Sequence, residues 1–206
     1  MGMTILSGSI VNGADVIRLK KPDLERGMPV MTAFSLRASA SGYNAKPLSL
    51  EDLSDLLWAA NGINREDEGK RTAPTAVNAQ DIDLYVFLPE AVYLYNAKEN
   101  QLEKVVEGDH RKLVAAQQED VAKAPVICLM VSDISRFPWG DDNSKMNMAA
   151  MDAGIVSQNI SIFCAGTGLV TRPRASMNVQ GLRQVLKLTD SQHPLMNNPV
   201  SYKVEN

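Results

Sequence analysis

The chain of 206 residues has only two cysteines and two histidines, no long apolar run and no block of charge of one sign. Cys128 and Cys164 fall in the apolar stretches Ala124–Val131 and Ile155–Ala165, which belong to different expected elements. Their spacing suggests neither a redox pair nor a metal site, and both are expected as buried core thiols. His110 and His193 stand alone in polar stretches, with no acid or cysteine at ligand spacing, which disfavours a metal centre. No run approaches the roughly 20 apolar residues of a membrane helix, so no membrane partner is expected. The start, Met1 to Asp15, lacks the basic and then apolar pattern of an export signal. The expectation is a soluble chain, cytoplasmic as numbered, or periplasmic if an export signal was removed. The formal charge of −3 arises from signs mixed along the chain, which argues against a nucleic-acid partner.

With 45% apolar and 22% charged residues, the composition is that of one ordinary globular domain. Residues 1–30 have weak periodicity and scattered Gly and Pro, and read as an extended arm whose partner is another subunit. Residues 31–206 form the domain. Its first clear helix is Leu50–Ala60, with Ser49 as N-cap, Asp52 three residues later, and Gly62 placed to end it. Ile82, Leu84, Val86 and Leu88 alternate with Asp83, Tyr85 and Phe87, the period of a strand. Pro89-Glu90 turns the chain into Val92–Tyr95, and Gln101–Val106 extends a short antiparallel meander.

Arg111–Ala122 reads as a helix, Pro125–Ser132 as a central strand, and Lys145–Thr167 as a long core helix capped by Gly168. A last helix begins at Asn178 and carries Val179, Leu182, Val185 and Leu186 on its inner face. Helices and strands mix without regular βαβ repetition, which makes the expected fold class α+β.

Three segments place small, polar residues where core-building ones would be expected. In Arg37-Ala38-Ser39-Ala40-Ser41, alternate positions of an extended chain present a guanidinium and two hydroxyls to one side, which suits a phosphate and a polyol chain. A solvated loop has the same composition. Arg71 to Gln80 includes Pro74, Thr75, Ala76 and Asn78; its small side chains allow close approach of a planar ligand, and Thr75 and Asn78 offer donors and acceptors. A capped turn before a strand is the plainer reading. Gly168 to Met177 carries Arg172, Pro173, Arg174, Ala175 and Ser176 between two helices. Such a loop can aim backbone N–H groups and positive charge at a ring, or can be an exposed basic linker.

In this order and spacing the segments resemble the nitroreductase family, including its short azoline-oxidase-like branch, over most of residues 30–202. In that family an Arg-x-Ser-x-Arg segment precedes a Leu-Leu-Trp-Ala-Ala-x-Gly helix, similar here to Arg37–Ser41 followed by Leu56–Gly62. Pro74-Thr75-Ala76-Val77-Asn78-Ala79-Gln80 is similar to its Pro-Ser-x-x-Asn-x-Gln segment. Asp152-Ala153-Gly154, Gln158-Asn159 and Gly168-Leu169 are similar to its long second helix.

The resemblance implies a nitroreductase-like fold, with a mainly antiparallel central sheet flanked by helices, in an intertwined homodimer. It implies flavin mononucleotide (FMN) at the subunit interface, contacted by Arg37, Ala38, Ser39, Ser41, Pro74, Thr75, Ala76, Asn78, Pro173, Arg174, Ala175 and Ser176. The backbone N–H of Ala175 or Ser176 would meet flavin N5. Two positions depart from the pattern. Ser41 stands where the family has its second arginine, and the chain ends soon after Ser201-Tyr202-Lys203, without the basic tail of longer relatives. Arg172, Arg174 and Lys203 are the cations that could assist Arg37 at the phosphate. Phe137, Pro138 and Trp139 could cover the partner's substrate face or anchor an ordinary loop.

The implied activity is reduction of a small-molecule acceptor, a nitroaromatic or quinone, by NADH or NADPH in a ping-pong cycle. Arg172 or Arg174 near flavin N1 would favour the reduced anion. No catalytic side chain is required. The alternatives are a flavin-dependent azoline oxidase, a flavin-cleaving relative, or a flavin-binding protein without turnover.

Overall fold

Apolar side chains alternating along two neighbouring strands set the architecture. In the computed structural model, which describes residues 15–204, β4 (Ile82–Phe87) pairs antiparallel with β7 (Val126–Asp133), Tyr85 opposite Leu129 and Val86 opposite Cys128. Leu84, Val86, Cys128 and Met130 face one core, while Tyr85, Phe87, Ile127 and Leu129 face a second. Both faces of the sheet are therefore covered, as the period-two pattern demands.

Around this pair lie β1 (Val16–Arg18), β5 (Ala91–Asn96), β6 (Gln101–Glu107), β8 (Leu169–Thr171) and β9 (Gln192–Tyr202). The order is β1-β6-β5-β4-β7-β9-β8, with every neighbouring pair antiparallel. The helices are α1 (Val30–Leu36), α2 (Leu50–Asn61), α3 (Arg111–Ala115), α4 (Asp142–Thr167) and α5 (Val179–Leu186), and a short hairpin joins β2 (Ile63–Arg65) to β3 (Lys70–Arg71). The first core is covered by α2 and α4 through Leu53, Leu56, Ile160 and Cys164, and the second by α3 and α5 through Val114, Leu182 and Leu186. Both cysteines are buried free thiols, and burial pushes that of Cys128 up to about 12. Among the described residues no helix is long and apolar enough to cross a membrane.

Local signals account for the helix ends. Ser49 Oγ accepts the Asp52 N–H at 3.0 Å, and α2 closes at Gly62. Asp141 accepts the Ser144 N–H at 2.8 Å and so starts α4 three residues before the expected Lys145. Gly168 ends it at φ 79°, a conformation that costs glycine little.

Four expectations are corrected. The helix expected over Arg111–Ala122 stops at Ala115, because Ala116 turns to φ 53°, and a short 3₁₀ turn over Glu119–Lys123 follows. Val179 is exposed, so the inner face of α5 rests on Leu182 and Leu186. Residues 192–202, to which no element was assigned, form the longest strand despite Pro194 and Pro199. Register shifts opposite Met130 and Val131, and β8 pairs only with residues 200–202. The segment before Val30, read as an unpacked arm, holds two packed pieces within its described part, whereas residues 1–14 lie outside the described residues. β1 adds to the edge of the sheet, and Arg26 ties the following loop to α2.

That tie is a small network. Arg26 donates to Asp55 at 2.9 Å and to Asp52, and Tyr202 on β9 also donates to Asp52. Burial pushes the Asp52 carboxyl up, but the hydrogen bonds from Arg26, Tyr202 and Ser49 outweigh it and hold the group below the usual carboxylate range. The stabilisation is thus present above about pH 4 and lost as pH falls further. Arg26→Ala is expected to lower stability by about 1–3 kcal/mol near neutral pH. Urea unfolding would measure that loss and show it shrinking below about pH 4.

Candidate functional site

Helix α1 is apolar nearly all round yet buries only Ala33. It can lie close to α4 because residue 166 is glycine: a Cβ there would stand 3.3 Å from the Ala33 Cβ, and the Gly166 carbonyl accepts the Met28 N–H at 2.9 Å. Leaving α1, the chain runs beside β8. Ser39 bridges to Thr171, and the Ala40 N–H donates to the Thr171 carbonyl at 2.9 Å.

Between this segment and the C-terminal end of α4 lies a cleft of about 460 Å³. Its lining includes Ala38, Ser39, Ser41, Ser161, Gly168 and Lys203. Among the described residues no carboxylate lines it, and hydroxyls, small side chains and the Lys203 ammonium make up its polar surface. Such a lining suits an anion with a polyol tail. Arg37 is exposed and is not part of the lining, although its neighbours Leu36 and Ala38 are. Lys203 thus brings a cation to the cleft beside Ser41.

The loop 173–176 follows β8. The Arg174 guanidinium donates to Gln118 at 2.8 Å, to Asn197 at 2.7 Å, and to the Val114 and Ala115 carbonyls at 3.2 and 3.1 Å. Its backbone pairs with Asn197 in both directions. The side chain therefore holds the end of α3 against β9, and Arg172 is the loop's more exposed cation, 3.5 Å from Asp120. Ala175 and Ser176 are exposed.

Pro74–Asn78 lies apart from the cleft. The Ala76 N–H donates to the Asp152 carboxylate at 2.9 Å, and the Thr75 hydroxyl accepts from the Gln80 N–H at 2.9 Å. Along α4, Asp152 is nine residues from Ser161 and twelve from Cys164, about 14–18 Å at the helical rise. Within one chain, then, the structure joins the first segment to the start of the third and sets the second at a distance. Phe137 is a buried anchor packed with Ile134 and Ala149, whereas Trp139 is 57% exposed.

Sequence reasoning missed the buried polar set behind the second segment, Asp81, Ser132 and Asp152. One signal was available, an acid at position 152 on the inner face of a core helix.

The fold, a helix-flanked antiparallel sheet with a small-residue cleft at one end of its longest helix, defines an α+β class. Within it, the chain belongs to the nitroreductase family, whose model, "Nitroreductase family", matches residues 35–202. A relative from Methanocaldococcus jannaschii, "Putative nitroreductase MJ1384", is 26% identical over 200 residues, covering 93% of this chain and 99% of its own. The crystal structure of a "putative nitroreductase" from Ralstonia eutropha JMP134 superposes with a TM-score of 0.87 at 30% identity, over 99% of this chain and 97% of that one. The fold is shared with a chain of the E. coli microcin synthetase McbBCD complex at a TM-score of 0.73 and 17% identity, over 91% of this chain and 78% of that chain.

Arg174→Ala would leave four acceptors without their donor, and a loss of about 3–5 kcal/mol is expected. Denaturant unfolding measures it, and Arg174→Lys should restore only part, because an ammonium cannot reproduce the fork.

Proposed function

We propose that the protein is an FMN-dependent oxidoreductase that works as a homodimer, reducing a nitroaromatic or quinone acceptor with NADH or NADPH. The observation that carries this reading is the cleft of about 460 Å³, in which Ser39, Ser41 and Lys203 converge beside the end of α4. Those residues fit a phosphate and a ribityl chain. Lys203 supplies the charge that Ser41 lacks, and Arg37 adds a second cation next to the mouth. When bound, FMN supplies the two-electron relay, reduced by the nicotinamide and reoxidised by the acceptor in alternate half-reactions.

The protein's own part is to bind, orient and shield. Ala38 and the serines would hold the phosphate end, and the exposed Ala175 and Ser176, in the loop behind Pro173 and Arg174, would offer backbone N–H groups to the ring. With the Arg174 guanidinium committed inside the protein, Arg172 is the side chain that favours negative charge on the ring.

The homodimer reading rests on exposed apolar surface and on separation. Val30, Met31, Phe34 and Leu36 on α1 are 52–74% exposed, and Met151 on α4 is 62% exposed. A second copy over this face would bury them. It would also bring Pro74, Thr75, Ala76 and Asn78 of the partner subunit to a flavin held by the first segment, which one chain keeps about 14–18 Å away along α4.

Purified protein given FMN should retain a flavin band and lose it when NADH or NADPH is added without oxygen. Protein that stays colourless after incubation with FMN overturns the cofactor reading. Bleaching only by an azoline-containing peptide moves the chain to the azoline-oxidising branch. Lys203→Ala and Arg37→Ala should each weaken FMN binding by about 1–3 kcal/mol in a fluorescence-quenching titration. Phe34→Glu should shift the mass measured by light scattering from dimer to monomer.

A further inference from the structure

Behind the Pro74–Asn78 segment sit two carboxyl groups that the proposed reaction does not use. Asp81 is fully buried and Asp152 is 3% exposed. One Asp152 oxygen lies 2.9 Å and the other 3.2 Å from the Ala76 nitrogen, and the neighbouring Asp81 keeps its Oδ1 buried with no hydrogen-bond donor. On its other side Asp81 Oδ2 accepts the Ser132 hydroxyl of β7 at 2.5 Å. Neighbouring carboxyl groups, enclosed and away from water, cannot both be ionised cheaply; a proton on Asp81 gives its unpartnered oxygen a hydrogen bond to donate and turns repulsion into attraction.

The backbone that this pair holds is strained. Val77, Asn78 and Gln80 have φ of 50°, 54° and 49°, in the left-handed region that a β-branched residue such as Val77 rarely enters. Such a conformation persists only where contacts enforce it. Here they are the Ala76 N–H on Asp152, the Gln80 N–H on Thr75, and the Arg136 guanidinium, which donates to the Gln80 carbonyl at 2.9 Å and to Asp83 at 2.7 Å.

We propose that Asp81 and Asp152 form a shared-proton clamp that positions the Thr75–Asn78 segment, so that loss of the shared proton loosens this segment and its contacts to flavin. The claim about flavin rests on the function proposed above; the claim about the segment does not. Asp152 is a positioning residue, acting through the Ala76 amide, and Asp81 sets the charge on the pair.

The other charged or titratable groups around the pair are few. Arg136 follows β7 and is paired with Asp83 and, at 3.7 Å, with Asp133. Arg71 reaches the Gln80 side chain at 2.9 Å. His193 of β9 lies opposite Ser132 in the sheet. Burial first, and then the neighbouring Asp152, push the Asp81 carboxyl up to about 7, partly offset by the Ser132 hydroxyl. Because the folded value lies above the ordinary value of 3.8, the stabilisation is complete below that value and lost as pH rises to about 7.

The test is a pH titration of the apoprotein by amide NMR, from about pH 5.5 to about 9. In the wild type the Ala76 amide proton should shift with a midpoint near 7. In Asp81→Asn, whose amide can bond both Ser132 and Asp152 without charge, it should stay flat. The melting temperature of Asp81→Asn relative to wild type should climb between about pH 4 and about pH 7 and then level off. If that variant does not fold, Asp152→Asn serves, since its amide oxygen still accepts from Ala76.

A wild-type Ala76 signal that does not move, or a step that survives in the variants, overturns the clamp. FMN titrations follow in parallel. The ratio of wild-type to Asp81→Asn dissociation constants should rise with pH above the midpoint, by up to about tenfold per unit for one linked proton, and a ratio independent of pH overturns the link to flavin. Failure of both proteins to bind FMN at any pH would overturn the cofactor reading, while the Ala76 titration still decides the clamp.

Discussion

Everything in the molecule leans on one pairing, β4 against β7, whose side chains are buried on both faces. A strand pair covered on both sides must find helices for each, and here α2 and α4 take one face while α3 and α5 take the other. The 26-residue α4 meets the sheet and also α1, and that double contact dictates its composition. Alanine, serine and glycine recur along it because neighbours approach from several directions, and a row of leucines would not fit between them. Its buried serines are satisfied locally: Ser161 donates to the Ser157 carbonyl at 2.8 Å, and Ser157 to Asn198 of β9 at 2.7 Å.

Much of this was legible from residues alone. The period-two run from Ile82, the apolar run from Pro125 and the capped helix after Ser49 each carry one unambiguous pattern, and each forms within one residue of the bounds read. The failures have physical causes. β9 carries two prolines and three asparagines or glutamines, so its strand character comes from the neighbours it pairs with, not from its own propensity. α3 ends early because the Val114 and Ala115 carbonyls bond to a guanidinium sixty and fifty-nine residues away, a contact that no local window contains. β8 is three residues long and reads as part of a loop until its partner is known.

The site divides along the same line. That 38–41 is built of small side chains and hydroxyls could be seen in the sequence, and they do line a cleft. In the sequence Lys203 stood beside Arg172 and Arg174 as a candidate cation, and the choice among the three depends on how β9 returns beside β8. Arg174 carried the opposite lesson. Its charge suggested a ligand, but burial and four acceptors give it a structural task. Composition identifies which groups are available; only packing decides which of them are already engaged.

The contact between Ala33 and Gly166 has a mechanical meaning. α1 is seven residues long and Ala33 is its one buried residue, yet its last residue, Leu36, forms part of the cleft wall. Gly166 is thus a fulcrum and α1 a lever. Any side chain at 166 would place its Cβ 3.3 Å from the Ala33 methyl, and α1 would have to give by a few tenths of an ångström. The far end of that helix would carry the displacement into the cleft, which makes a position that lines no part of it one of the controls on its width.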